Sequence, residues 1–325
     1  MRFPIRLTYC LLLAAFAAAA QAQTDAARGY PGKLVRIVIP FTAGGGNDIV
    51  ARVISAKLSE SFGQSVIVEN RPGAQGFIAG ELVAKASPDG HTVLMGPTGP
   101  MAIGPAIYSK MPYSTLKDFA PVTMIGSFPL ILIVNPSLPA KSVADLIQYA
   151  KSNPTQINYG STAPTFQLTT ELFKLRTATA FQHIPYKGSG EMVNAVLAGE
   201  ITIAFADPPP AIGALRSGRV RGLAVTGPAR HPSWPDLPTM AEAGVPDMVV
   251  IIWMGLFMPV ATSPAIVQRF RDEVAQAVAM PDVREKLATL GVDPSGMQPA
   301  EFARFVANEI ERWTAVARAA NIKAD

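Results

Sequence analysis

Between the β-branched run Leu34–Ile39 and a stretch of helical spacing that begins at Ile49 lies Pro40-Phe41-Thr42-Ala43-Gly44-Gly45-Gly46-Asn47-Asp48. Glycines allow a tight turn and let main-chain N–H groups come close to a bound group. The helix behind them adds first-turn N–H groups with no partner in the helix and about half a positive charge. Such a corner suits an anion. G-x-G-x-x-G fails at its last position, Ile49, and no G-K-[ST] follows, so a carboxylate fits better than a nucleotide diphosphate. The plainer reading is a glycine turn with Asp48 as the helix cap. A second corner, Gly160 to Thr165, joins Ile157–Tyr159 to a helix at Phe166 and offers the hydroxyls of Ser161, Thr162 and Thr165. Its plainer reading has one hydroxyl capping the helix and the others solvated. A third, Tyr186-Lys187-Gly188-Ser189-Gly190, has the same place between strand and helix, with Lys187 as a cation whose ordinary state is exposed. Asp207 ends the strand-like run Ile201–Phe205 ahead of Pro208, Pro209 and Pro210, where it either lines a cleft or forms a turn.

In open α/β sheets ligands bind at the carboxyl ends of strands, so corners of this kind on two lobes would face one cleft. A charge-assisted hydrogen bond contributes about 1.5–3 kcal/mol, and micromolar affinity needs about 8 kcal/mol. A handful of such donors is sufficient without a buried Arg. Enzyme chemistry is poorly supported. His91, His183 and His231 stand in no metal-ligand spacing, and no G-x-S-x-G elbow or Ser–His pattern is readable. Cys10 is the only cysteine and lies in the N-terminal apolar run, so thiol nucleophiles, disulfides and cysteine-held metals are excluded from the rest of the chain. His183 and Trp253 read as packing residues, and Glu69-Asn70-Arg71-Pro72 as a structural turn. No catalytic residue, metal or cofactor is expected.

The elements that must position these corners alternate. Leu34–Ile39, Val66–Val68 and Thr92–Met95 read as strands, with helices over Ile49–Phe62 and Phe77–Ala86 between them. A second series follows Val122: strands Leu130–Val134, Ile157–Tyr159, His183–Tyr186, Ile201–Phe205 and Arg221–Thr226, with helices Val143–Lys151, Phe166–Leu175 and Glu191–Leu197. This order implies largely parallel sheets with helices on both faces. The tail reads as helices opened by Pro264, Pro281 and Pro299, the last with Phe302, Phe305, Val306, Ile310, Trp313 and Val316 on a core-facing stripe. With 325 residues, 49% hydrophobic and 16% charged, the chain is too apolar for disorder and too long for one core. The 29 Pro argue against a long coiled coil.

Arg2 and Arg6, the apolar run Leu7–Ala20 and Ala20-Gln21-Ala22 form the pattern of a cleaved secretory signal peptide, and the run is too short to span a membrane. The expected product is exported and periplasmic. The full sequence has 28 Lys+Arg against 24 Asp+Glu, so removing the leader leaves it nearly neutral. No Lys/Arg-rich run marks a nucleic-acid footprint.

At these residues the chain resembles the Bug-type (TctC-like) solute-binding receptors of tripartite tricarboxylate transporters. The matching stretches are Ile39-Pro40-Phe41 with Gly44-Gly45 and Asp48, Val68 to Gly73, Pro88-Asp89-Gly90, Asp118 to Val122 and Val134 to Ser137. They continue with Pro185 to Gly188, Leu223 to Thr226, Pro238-Thr239 with Glu242-Ala243-Gly244, and Trp253 with Gly255-Leu256. The resemblance implies a type II periplasmic-binding-protein fold: two α/β lobes, residues 23–127 plus 247–325 and residues 128–246, joined by hinge strands near Val122–Ser127 and Thr239–Val249. It implies a carboxylate gripped by Phe41, Thr42, Ala43, Gly44 and Gly45 with Asp48 on one side and by Ser161 and Thr162 on the other. Thr98, Tyr186, Lys187, Gly188 and Asp207 become further wall positions. The chain departs from the family in the loop after Tyr159: Ser161 to Leu168, with Pro164 and Phe166, points to a smaller or more apolar pocket than dicarboxylates need. The expected function is a monomeric receptor that closes around a small organic acid and delivers it to a membrane permease. The alternative is a ligand-dependent sensor subunit for a membrane kinase. A Val at Gly45 is expected to abolish binding, through blocked backbone approach or a positive φ.

Overall fold

The structure, a computed structural model, describes residues 29–319 and Lys323; the signal peptide expected over residues 1–22 lies outside the described residues. Two mixed sheets, each covered by helices, make up the molecule. The first begins as read: β1 (Val35–Ile39), α1 (Gly46–Phe62), β2 (Val66–Asn70), α2 (Phe77–Ala84) and β3 (Thr92–Pro97). β1 pairs in parallel with β2 and β3. Two short helices, α3 (Gly104–Ile107) and α4 (Thr115–Asp118), lead to β4 (Phe119–Pro129).

After β4 the chain crosses at Leu130 into the second sheet. There lie β5 (Ile131–Val134), α5 (Val143–Ser152), β6 (Asn158–Ser161), α6 (Pro164–Thr177), β7 (Gln182–Pro185), α7 (Ser189–Ala198), β8 (Ile203–Ala206), α8 (Pro208–Arg216) and β9 (Arg221–Val225). The chain then returns to the first sheet as β10 (Ile251–Pro259) and ends in α9 (Pro264–Ala279), α10 (Pro281–Thr289), the short β11 (Asp293–Pro294) and α11 (Pro299–Ala319). The strand orders are β11-β4-β10-β3-β1-β2 and β7-β6-β8-β5-β9.

The expectation of largely parallel sheets holds only in part. β10 runs antiparallel to β3 and β4, and β5 antiparallel to β8 and β9. These are the strands that enter or leave a sheet through the crossings, so no helical crossover obliges them to run parallel. β10 lies in the middle of its sheet, covered on both faces, and so shows no alternation in its sequence. The crossing itself is clasped. Leu130 N donates to Thr226 Oγ1 (2.8 Å), Thr226 N to Leu130 O (2.9 Å), Thr226 Oγ1 to Val250 O (2.6 Å) and Val250 N to Thr226 O (2.9 Å). One threonine thus ties the outgoing and returning chains together.

The stripe on α11 packs as read. Phe302 meets Phe257 at 5.1 Å and Trp253 at 5.7 Å between ring centroids. The buried Glu309 accepts from the indole nitrogens of Trp253 (3.1 Å) and Trp313 (3.2 Å) and from Arg312 (2.8 Å). The C-terminal helix is therefore fixed to the first sheet, not the second.

Candidate functional site

Every candidate corner lies at the carboxyl end of a strand: residues 40–45 after β1, Thr98 after β3, Ser161 as the last residue of β6, Tyr186 after β7 and Asp207 after β8. The structure brings them together as two facing pairs across the seam between the lobes.

The first pair sets the loop before α1 against the loop before α7. Thr42 N donates to Lys187 O at 3.4 Å. A Cβ at Gly188 would overlap Thr42 Oγ1, and one at Gly190 would lie 2.8 Å from Gly44 O. Gly44 has φ +84°, whereas Gly45 is extended at φ −83°. Close approach, not a positive φ, therefore makes Gly45 a glycine: its Cβ would lie 2.9 Å from Ser189 Oγ. Phe41 is buried, and its carbonyl accepts from Asn70 Nδ2 at 3.0 Å. Ala43 is exposed.

Asp48 braces this loop from inside. Its carboxylate accepts from Gly44 N (3.0 Å), from Arg52 Nε and Nη2 (3.0 and 2.9 Å) and from Asn70 Nδ2 (3.0 Å). Burial opposes its charge, but the bonds from Arg52, Gly44 and Asn70 outweigh it and hold the carboxyl below the usual range. Asp48 shapes the corner, then, and spends its oxygens within its own lobe.

Asp207 crosses the seam. Its Oδ2 accepts from Gly46 N at 2.9 Å and from Ser189 Oγ at 2.9 Å, while Oδ1 is buried without a hydrogen-bond partner. Burial pushes its pKa up to about 6, against the lowering effect of Ser189 and of the main-chain N–H groups. Asp207 stands at the N-cap position of α8, but Pro208, Pro209 and Pro210 have no N–H for it to accept from. Its carboxylate therefore reaches the first turn of α1 instead. The anion-suited end of α1 is in this way partly occupied by the protein's own carboxyl.

The second pair sets Thr98–Gly99 against the Ser/Thr corner. A Cβ at Gly99 would lie 3.0 Å from Thr165 Oγ1 and 3.3 Å from Ala163 Cβ. Ser161, Thr162 and Thr165 are all buried. The Thr98 side chain belongs to the sheet: its hydroxyl donates to Trp253 O (3.1 Å) and accepts from Trp253 N (2.8 Å). Only its turn faces the second lobe. Tyr186 is half-buried, with its N–H on Ser161 O at 2.8 Å and its phenol pKa raised by burial. Lys187 is exposed and meets the first lobe through its carbonyl.

Two participants escaped the sequence reading. Ser189, inside the third corner, is the Asp207 partner; its place beside Gly188 at a helix start was the available signal. His183, read as packing, lies with Nε2 2.6 Å from Ser161 Oγ. Nothing in one-dimensional spacing shows that contact, which depends on β6 and β7 pairing. Among the described residues no group of His, Cys, Asp or Glu is placed to hold a metal ion. A groove of about 620 Å³ elsewhere, lined by Leu172, Leu175, Val249, Trp313 and Val316, includes Arg176, paired with Asp247 at 3.4 Å. It lacks converging unpaired polar groups and is not part of the site.

Two α/β lobes, joined by clasped crossings and meeting at their strand ends, define a solute-binding receptor of the periplasmic-binding-protein class. Residues 50–322 match the tripartite tricarboxylate transporter family receptor (TctC), and the chain belongs to that family. It is 37% identical over 297 residues to protein BugT of Bordetella pertussis, covering 90% of this chain and 91% of that protein. The structure of R. palustris Rpa4515 with adipate superposes with a TM-score of 0.87 at 40% identity, covering 90% of this chain and 99% of that one. The periplasmic binding protein BugD superposes with a TM-score of 0.88 at 28% identity, covering 91% and 100%. The family is one of receptors and not of enzymes.

Proposed function

We propose that the protein, exported by its N-terminal leader, captures a small carboxylated metabolite between its lobes and presents the closed form to the membrane permease of a tripartite transporter. The observation that carries this reading is the seam: strand-end corners of both lobes face each other, and Gly46 N reaches Asp207 Oδ2 across it at 2.9 Å. Contacts from both lobes are what let a ligand favour the closed state over the open one. Adipate in Rpa4515 supports an organic acid as the ligand class. Because Asp207 and Asp48 already take up N–H groups at the start of α1, the ligand carboxylate is assigned to Ser161, Thr162 and Thr165 of the second lobe, against the Thr98–Gly99 turn of the first, whose Gly99 Cβ position lies 3.0 Å from Thr165 Oγ1. The hinge is assigned to Leu130 with Thr226 and Val250, beyond the expected Val122–Ser127, which pairs with β10 inside the first sheet, and just past the end of the expected Thr239–Val249. Thermal melting with millimolar mono-, di- and tricarboxylates tests the proposal. At least one acid raises the melting temperature, by about 1.5 °C per kcal/mol of linked binding for a chain of this size. No shift across the panel rejects the reading.

A further inference from the structure

β6 and β7 are parallel neighbours, with Tyr159 opposite His183 and Ser161 opposite Pro185. Alternate residues of a strand share a face, so Tyr159, Ser161 and His183 project from the same side of the sheet. The His183 ring is tilted against Tyr159 with centroids 5.0 Å apart, and its Nε2 lies 2.6 Å from Ser161 Oγ. The Tyr159 hydroxyl donates to Glu171 Oε1 at 2.6 Å, and Lys174 Nζ pairs with Glu171 at 2.8 Å. The charged groups acting on the imidazole are thus Glu171 and Lys174 of α6, one of each sign, and they offset one another.

A serine hydroxyl has one proton and two lone pairs. If His183 accepts that proton, Ser161 offers a ligand only lone pairs, which repel a carboxylate. If His183 donates, the Ser161 proton is released. We propose that His183 is a positioning residue for the ligand: by donating Nε2–H to Ser161 Oγ it turns the Ser161 hydroxyl into a donor for a carboxylate held between the lobes. This rests on the reading of Ser161 as part of the carboxylate grip.

The neutral Nε2–H tautomer can donate in this way; the imidazolium always donates and adds a positive charge near the bound carboxylate. A carboxylate arriving at Ser161 favours that form, so binding draws a proton onto His183. In the free protein burial holds the imidazole below its ordinary value, Glu171 opposes this and Lys174 adds to it. Carboxylate affinity therefore rises as pH falls from 8 towards 5.5. A carboxamide in the same place can donate to Ser161 while His183 accepts, and needs no proton.

The test is calorimetry with the tightest binder from a panel of mono-, di- and tricarboxylates, adipate included, between pH 5.5 and 8. Ser161→Ala weakens binding at pH 6 about tenfold or more, as expected for one charge-assisted hydrogen bond. His183→Leu weakens it to the same extent, and the double variant is no weaker than Ser161→Ala alone, because both changes remove one interaction. His183→Gln, whose amide still donates, keeps most of the pH 6 affinity and loses the His183 part of the pH profile. Asp207 titrates in the same range in both proteins, so the difference between the two profiles isolates His183. His183→Leu binding as tightly as wild type, or its loss adding to that of Ser161→Ala, overturns the inference while leaving the receptor function standing. Failure of every carboxylate to bind wild type overturns both.

Discussion

Asp207 shows how a residue's neighbours decide what it does. An Asp before a helix normally accepts from the second or third helical N–H, but Pro208 to Pro210 supply none, and the carboxylate closes the seam by accepting from Gly46. A stability change with pH follows. The folded carboxyl keeps its proton up to about pH 6, against an ordinary 3.8. Between those values the folded protein holds more protons than the unfolded chain, so this contribution is full below 3.8 and is lost as pH rises through 6. The total is on the order of 3 kcal/mol. Urea unfolding of wild type and Asp207→Asn from pH 4 to 7.5 measures it: the advantage of wild type over the variant shrinks as pH rises. A constant difference would show that Asp207 ionises normally in the folded chain. Gly46→Ala probes the same contact sterically, because its Cβ would overlap Asp207 Oδ2. An Ala suits a helix start as well as Gly does, so the fold persists while carboxylate affinity drops about tenfold or more, the effect of losing a charge-assisted bond. Unchanged affinity in titration calorimetry would remove the seam from the binding step.

At the scale of elements, α11 is held to β10 of the first sheet through a single carboxylate. Glu309 holds two indole N–H groups and Arg312 at once. Glu309→Ala leaves both indoles buried without an acceptor and costs about 2–5 kcal/mol, whereas Glu309→Gln keeps an acceptor and costs less. Urea midpoints of the two variants separate the cases; equal losses would mean that the charge, not the acceptor, matters. The stripe on α11 was legible because period 3.6 with Phe, Trp and Ile on one face has no other good solution. So were β1, α1 and β2, where β-branched runs and glycines punctuate the chain. α8 was hidden by its prolines, which read as a break although the first turn of a helix tolerates them. β10 was hidden by being covered on both sides. In the site, the corners could be located from strand-to-helix spacing, but which hydroxyl meets which carboxyl depends on the pairing of strands far apart in sequence. That is why Asp48 turned out to brace its own loop, Thr98 to serve Trp253, and His183 to reach Ser161.

At the scale of the whole molecule, the proposed capture requires the lobes to part to admit a ligand, and the seam can be locked. A Cβ at Gly188 would lie 3.2 Å from Thr42 Cβ, a few tenths of an ångström inside the usual disulfide separation of about 3.5–4.5 Å. Gly188 has φ −165°, extended backbone that any residue adopts. The only cysteine in the sequence is Cys10, so Thr42→Cys/Gly188→Cys in a Cys10→Ser background introduces a pair with no competing thiol. Mass spectrometry after mild oxidation should find the bridge. Because it closes a long loop, the oxidised form should resist unfolding by roughly 4–5 kcal/mol more than the reduced form on chain-entropy grounds, less any strain. The functional consequence is sharper. Oxidised in the presence of a bound acid, the protein should retain it through dialysis; oxidised empty, it should refuse the same acid, and reducing agent should restore exchange in both. The two preparations differ only in what was present when the bridge formed, so neither misfolding nor lost side chains can produce both results. Rapid exchange in the oxidised protein would mean that ligands reach their site by a route other than parting of the lobes, and the hinge at Leu130 and Thr226 would then have no part in capture.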